Sequence, residues 1–228
     1  MTNLAAQSKK PKPVEEIEIE ADDEYYGPNF TTRTGFSGSL GLTSRSYAVN
    51  FNYVKSFDPD WMFVLSFGVT SDNDPNERQS FDFFTGQNWI YDPDSPDPSA
   101  PLGRPPFRPK LNSLMMFPLT ATFQHRLFRN EITRSFRPFI EFGAGPTFGY
   151  VYNWLSGFFD FSKGYIALGF NGQVGAGAYF GANPLMLQGL SVRYQFSYLP
   201  AGVQMLESKG ALTFFGSISL NLTFGTLF

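Results

Sequence analysis

Apolar and polar residues alternate with a period of two along most of the chain beyond residue 31. In the stretch GLSVRYQFSYLP, residues 189–200, every second residue is apolar and the residues between are mostly polar. This period is that of a β-strand, whose successive side chains point to opposite faces. It predicts eight strands, over residues 32–43, 46–56, 60–70, 112–127, 136–151, 166–181, 189–200 and 212–225.

The two faces of these segments differ in chemistry. The apolar face carries mainly Phe, Leu, Tyr and Val, whereas the polar face carries mainly Gly, Ser, Thr, Asn and Gln. A barrel dissolved in water would cover its outside with charged side chains, and a broad apolar belt would be untenable there. Lipid suits such a belt, because a closed barrel satisfies its backbone hydrogen bonds internally. We therefore predict an all-β, eight-stranded, antiparallel up-and-down transmembrane barrel with its polar face inward.

The composition agrees with a membrane barrel and narrows the chemistry. Aromatic residues make up 18% of the chain, and charged residues only 16%, against about 25% in a typical soluble domain. No run of apolar residues is long enough to predict a transmembrane helix. Cysteine is absent, which excludes disulfides and thiolate metal sites. The sequence predicts no cofactor and no metal site.

The connections between the predicted strands alternate between short and long after the first one. SFDPD and ANPL are short, whereas residues 71–111 form a long, proline-rich connection. We expect its aromatic part to extend the strand-three hairpin above the membrane or to fold over the barrel mouth. Outer-membrane-type barrels have short turns on the periplasmic side and longer loops outside. We expect 71–111 to be an extracellular loop and both termini to lie in the periplasm.

Residues 1–31 lack a packing pattern and hold three lysines and seven acidic residues. This composition predicts a disordered, acidic periplasmic tail, the expected docking element for a periplasmic or membrane protein. Residues 1–6 are either the remnant of a signal peptide or an unstructured start of the chain. No broad basic face is evident, so nucleic acid is not an expected partner.

The last predicted strand, FFGSISLNLTFGTLF, resembles the C-terminal signal that the barrel-assembly machinery reads in bacterial outer-membrane proteins. Thr226 stands where that signal usually has an aromatic residue. RPFIEFGAGPTFGY and GQVGAGAYFG are similar to strands of small outer-membrane barrels of the OmpA and OmpX type. The resemblance implies a bacterial outer-membrane location, with membrane lipid and the assembly machinery as partners. The residues that carry the assembly signal are Leu220, Leu222, Phe224 and Phe228.

Charged and amide side chains on the polar face are the candidate functional residues. An eight-stranded barrel has an interior just filled by side chains, so a buried charge there needs a partner. We expect Glu141 to pair with Arg193, Arg137 or Arg126. Such a network is either a structural plug or a path or gate for protons or ions. Its predicted members are Arg126, Arg137, Glu141, Gln173, Arg193 and Gln195.

Glycines and prolines in the strand segments carry two further predictions. Pro118 and Pro146 lack a backbone donor, so each predicts a bulge or a local break in the sheet. Four inward glycines leave room for a large side chain from across the lumen, or else for a small-molecule channel. They are Gly143, Gly145, Gly175 and Gly177.

His125 is the single histidine of the chain, and its position predicts an outward side chain near the membrane interface. A hydrolase or acyltransferase that depends on histidine is therefore not favoured, and we do not expect an enzyme. The sequence favours a structural or interaction role, with a plugged lumen and with the loops and the tail as docking elements. A narrow pore for ions or small solutes and a lipid-modifying outer-membrane enzyme are the alternatives.

Overall fold

The computed structural model describes residues 30–44, 46–72, 78–82, 87–91, 111–129, 135–153, 163–206 and 210–228, with the backbone alone for 78–82 and 87–91. Most of the predicted tail and much of segment 71–111 lie outside these residues. No helix in the described part of the chain is long and apolar enough to cross a membrane. The strands are β1 (Arg33–Thr43), β2 (Tyr47–Ser56), β3 (Trp61–Asp72), β4 (Arg78–Asp82), β5 (Gln87–Tyr91), β6 (Asn112–Arg126), β7 (Phe136–Asn153), β8 (Tyr165–Phe180), β9 (Gln188–Val203) and β10 (Leu212–Leu227).

Eight of the strands close into one ring in the order β1-β10-β9-β8-β7-β6-β3-β2. Each neighbouring pair is antiparallel. The ring closes between β1 and β10, whose pairs run from Gly35↔Leu227 to Thr43↔Ser219. The eight-stranded antiparallel barrel predicted from the alternating pattern is confirmed, and the strand bounds agree to within a few residues.

Segment 71–111 contains two strands that the sequence did not predict. The barrel strand β3 ends at Asp72, and β4 and β5 form a separate two-stranded antiparallel sheet. Its pairs run from Arg78↔Tyr91 to Asp82↔Gln87. Part of the aromatic stretch thus pairs in a small sheet separate from the barrel. That this part extends the hairpin above the membrane or folds over the barrel mouth stays a prediction.

The barrel has apolar side chains outside and polar side chains inside. Leu42 is 70% exposed and Phe224 is 58% exposed on the outer face, whereas Ser39 and Asn221 are buried on the inner face. The four assembly-signal residues, Leu220, Leu222, Phe224 and Phe228, are all exposed on the outside. Because so wide an apolar outer surface requires a nonaqueous surrounding, the outer face is the lipid-facing one.

The two ends of the barrel differ. We call the end that carries connections 57–60, 127–135 and 181–187 the turn end, and the opposite end the loop end. At the loop end β10 continues past its last strand pair with β1, Thr43↔Ser219, as far as Leu212. The wall formed by β9 and β10 is thus taller at the loop end than the wall formed by β1 and β2.

Candidate functional site in the barrel lumen

An ion pair lies in the middle of the lumen. Arg193 on β9 donates through Nε to Glu141 Oε1, and its Nη2 lies 3.3 Å from Glu141 Oε2. Both side chains are buried. Burying a charge is costly unless it is paired and hydrogen-bonded, and each side chain here is the partner of the other.

Gly175 on β8 lies between the two members of the ion pair. It is the register partner of Glu141 on one side and of Arg193 on the other. A Cβ at Gly175 would come within 2.9 Å of both Arg193 Cγ and Glu141 Oε1. The missing side chain therefore leaves the space in which the pair closes across β8.

Two neutral side chains extend the network toward the turn end. Gln124 Nε2 donates to Glu141 Oε2 over 2.8 Å, and the Tyr179 hydroxyl donates to Gln124 Oε1 over 2.9 Å. Glu141 thus accepts from Gln124 as well as from Arg193. The carboxylate is satisfied by three donors in place of water, which is the condition for keeping it buried.

A second chain of amides runs on the loop-end side of the ion pair. Gln173 Nε2 donates to Thr122 Oγ1 over 2.8 Å, and Gln195 Nε2 donates to Gln173 Oε1 over 3.3 Å. Above it, Thr120 Oγ1 donates to Asn171 Oδ1 over 2.7 Å. These bonds fill the middle of the lumen with mutually satisfied polar groups.

The three candidate arginines do not act together. Arg193 is bonded to Glu141, whereas Arg137 donates from Nη1 to Pro184 O over 2.6 Å and from Nη2 to Met186 O over 2.8 Å. Arg137 also lies over the Tyr179 ring, 5.8 Å from its centroid. Arg126 is buried at the turn end, where it lines a cavity of about 20 Å³ together with Arg137.

An apolar cluster lies on each side of the polar layer, one toward the loop end and one toward the turn end, and the sequence pattern did not predict either of them. The loop-end cluster consists of Leu114, Met116, Val151, Ala167, Leu199, Val203, Met205 and Phe215, with Leu212 against it. The turn-end cluster consists of Val54, Val64, Phe139, Tyr179, Leu187 and Leu227, with Phe30, Met62 and Leu185 against it.

The inner face, mainly small and polar, thus carries large apolar side chains near both ends of the barrel. Leu199 is two residues from the inward Ser197, and Phe139 is two residues from Glu141, so the alternation itself carried the signal. Tyr179 likewise stands two residues after the inward Gly177. Phe30, assigned to the tail by its sequence, packs against the turn-end cluster.

The remaining free space in the lumen is small. A cavity of about 40 Å³ on the loop-end side of the ion pair is lined by polar groups that include Asn50, Ser66, Thr120 and Gln195. Since a water molecule needs about 10–15 Å³ of such volume, the cavity holds roughly three waters. It is too small for an organic solute.

His125 lies outside the lumen. Its ring packs against the Trp61 ring, with centroids 4.4 Å apart and the planes tilted by 30°. Its strand neighbours Gln124 and Arg126 point inward and are buried. Among the described residues no group of three or more His, Cys, Asp or Glu side chains could hold a metal ion. The described part of the lumen thus holds the Glu141–Arg193 ion pair, the buried arginines Arg126 and Arg137, amides and hydroxyls.

No protein-family model and no curated protein matches the chain. In fold it is similar to solved outer-membrane barrels. The N-terminal β-barrel domain of Pseudomonas aeruginosa OprF is 11% identical, over 86% of this chain and 97% of that domain, with a TM-score of 0.44. Neisserial surface protein A is 10% identical over 85% and 94%, with a TM-score of 0.42. Ail, the attachment invasion locus protein of Yersinia pestis, is 13% identical over 86% and 97%, with a TM-score of 0.41.

Proposed function

We propose that the protein is a bacterial outer-membrane barrel with a structural or interaction role and a plugged lumen. The observation that carries the proposal is the packing of an apolar cluster on each side of the Glu141–Arg193 layer. With the turn end on the periplasmic side, the loops outside and the tail inside are the elements available for docking. Membrane lipid and the barrel-assembly machinery are the expected partners.

Conductance across a planar bilayer tests the plugged lumen. The inserted protein is expected to give no discrete current steps, because neither described cavity is continuous across the polar layer. Reproducible steps would favour the alternative, a narrow pore for ions or small solutes. Protein that stays monodisperse in buffer without detergent would contradict membrane insertion altogether.

The absence of catalysis is part of the same proposal, and the outward position of His125 supports it. Incubation with labelled lipid A tests it, and an unchanged acyl pattern is expected. A changed pattern would favour the lipid-modifying enzyme. Docking through residues 1–31, which lie almost wholly outside the described residues, is tested by using this segment as bait for periplasmic and membrane proteins.

A further inference from the structure

A compact surface patch lies at the turn end where β2, β3 and β6 meet. We call it the turn-end corner, and it consists of Lys55, Phe57, Asp58, Asp60, Trp61 and His125. Phe57 is 45% exposed and Trp61 is 38% exposed, although both lie at the edge of the barrel wall. The corner therefore presents aromatic surface at the level where the membrane interface begins.

Hydrogen bonds hold the corner in a fixed shape. Asp58 Oδ1 accepts from the backbone N–H groups of Asp60 and Trp61 over 2.7 and 2.8 Å, which fixes turn 57–60. The next turn is tied to it, since Arg126 N donates to Asp60 O over 2.7 Å and Arg129 Nη1 lies 3.2 Å from Asp60 Oδ2. A surface that is fixed beforehand loses little conformational entropy when it binds a ligand.

The charges of the corner are ordered along the barrel axis. Farthest into the membrane is the outward Phe63–Phe123 pair, with ring centroids 5.5 Å apart. Lys55 is the register partner of Phe63, and its Nζ lies 5.4 Å from the centroid of the Phe57 ring. Asp58 and Asp60 follow beyond the strand ends. From the membrane outward, the order is the phenylalanine pair, the Lys55 ammonium, and then the carboxylates of Asp58 and Asp60, of which Asp60 is paired with Arg129.

This order is complementary to one kind of molecule. A zwitterionic phospholipid presents acyl chains, then a phosphate, then an ammonium group, going from the membrane core outward. We infer that the turn-end corner binds a phospholipid headgroup with a primary ammonium, such as ethanolamine, with the phosphate at Lys55 and the ammonium at Asp58 and Asp60. The inference rests on the proposed membrane insertion.

The carboxylates have capacity for the ammonium. Asp58 uses Oδ1 for the turn, and its Oδ2 has no hydrogen-bond partner in the described part of the chain. Asp60 is bonded to Arg129 through Oδ2 and its Oδ1 is buried, so Asp58 Oδ2 is the oxygen that accepts from the ammonium and Asp60 contributes its charge nearby. A carboxylate accepts about four hydrogen bonds, and an ammonium with three N–H donors uses them, whereas a quaternary choline has no such donor.

Trp61 is the reporter for the test, because it belongs to the corner. A variant with Trp89→Phe and Trp154→Phe leaves Trp61 as the only tryptophan. It is reconstituted in bilayers that contain brominated phosphatidylethanolamine, phosphatidylcholine or phosphatidylglycerol at equal mole fraction. Quenching of Trp61 reports how often each lipid occupies the corner.

Phosphatidylethanolamine is expected to quench most, with a relative association constant roughly threefold above that of phosphatidylcholine, as exposed ion pairs allow. The Asp58→Asn/Asp60→Asn variant is expected to lose this preference, since asparagine still accepts the turn hydrogen bonds but lacks the charge. Lys55→Gln is expected to weaken the association of all three lipids with the corner. Lys163→Gln, which removes a charge at the loop end, is the matched control and is expected to change nothing.

Equal quenching by phosphatidylethanolamine and phosphatidylcholine in the parent would overturn the inference and leave the proposed function intact. A preference that survives in the doubly substituted variant would also overturn it. Absence of quenching by any brominated lipid would overturn both, because Trp61 would then not face a membrane. Gel mobility with and without heating verifies that each variant is folded.

Discussion

Gly175 is the residue at which a single methyl group tests the lumen ion pair. Its Cβ would lie 2.9 Å from atoms of both Glu141 and Arg193, so Gly175→Ala must push the pair apart or shift the strand. We expect a loss of about 1–3 kcal/mol in the free energy of unfolding, as for other overpacked interiors. Urea unfolding in lipid measures it.

Gly38→Ala is the matched control for this substitution. A Cβ at Gly38 meets only Asn50 O, at 3.9 Å. The control is expected to be neutral or slightly stabilising, because alanine restricts the unfolded chain more than glycine does. Equal unfolding curves for the two variants would mean that the ion pair does not need the space at Gly175.

At the scale of single residues, the alternation of apolar and polar positions predicts which side chains face the lumen, but not which of them pair with each other. It placed Glu141 and three arginines on the inner face, and any of the three satisfied the rule that a buried charge needs an opposite one. The choice of Arg193 follows from register, since Gly175 pairs with both residues across β8. The sequence does not predict Tyr179 as a lumen residue, because its pattern places aromatic side chains on the lipid-facing side.

At the scale of elements, the join between β6 and β7 contains a local break. Their ladder has no pairs between Pro118↔Thr147 and Ala121↔Ala144, although the register is the same on both sides. Of the two outcomes predicted at Pro118 and Pro146, a bulge or a local break in the sheet, this ladder shows a local break with no shift of register. Asn171 spans the break, because its Nδ2 donates to Gly145 O and Pro146 O over 2.9 and 2.8 Å.

Asn171→Leu keeps the approximate size of this side chain and removes its donors. Two backbone carbonyls then lose their partner, and we expect a loss of about 1–3 kcal/mol in the free energy of unfolding. Asn50→Leu is the control, since Asn50 Nδ2 makes one bond of 3.2 Å to Ser39 Oγ and no bond to the backbone. Urea unfolding that shows the larger loss for the control would contradict the role of Asn171.

The sequence predicts the barrel strands well and the hairpin poorly, for a physical reason. A barrel strand buries one face and exposes the other along its whole length, so the period of two persists over ten or more residues. The β4–β5 hairpin has five residues in each strand and lies in a proline-rich connection. Too few residues remain there for the period to stand out from the turn composition.

Taken as a whole molecule, the barrel interior has three layers. An apolar cluster lies at the loop end, polar side chains occupy the middle, and a second apolar cluster lies at the turn end. The loop-end cluster draws on β6–β10, and the turn-end cluster draws on β2, β3, β7, β8 and β10. The proposed closure of the lumen thus depends on strands from most of the ring.

Thiol labelling tests this closure, and the chain suits the method because it has no cysteine. Thr70 is half-buried and lines the 40 Å³ cavity near the loop end, whereas Thr122 is 1% exposed and bonded to Gln173 in the polar layer. A small water-soluble methanethiosulfonate is expected to modify Thr70→Cys at least about a hundredfold faster than Thr122→Cys, because the buried site reacts only through local opening.

Adding Phe139→Ala and Leu187→Ala removes apolar volume from the turn-end cluster and should speed the reaction at residue 122. Two truncations on the outer face, Ile140→Ala and Leu190→Ala, are the control and should leave the rate at residue 122 unchanged. Equal rates at residues 70 and 122 in the otherwise unaltered chain would show an open lumen and favour the pore.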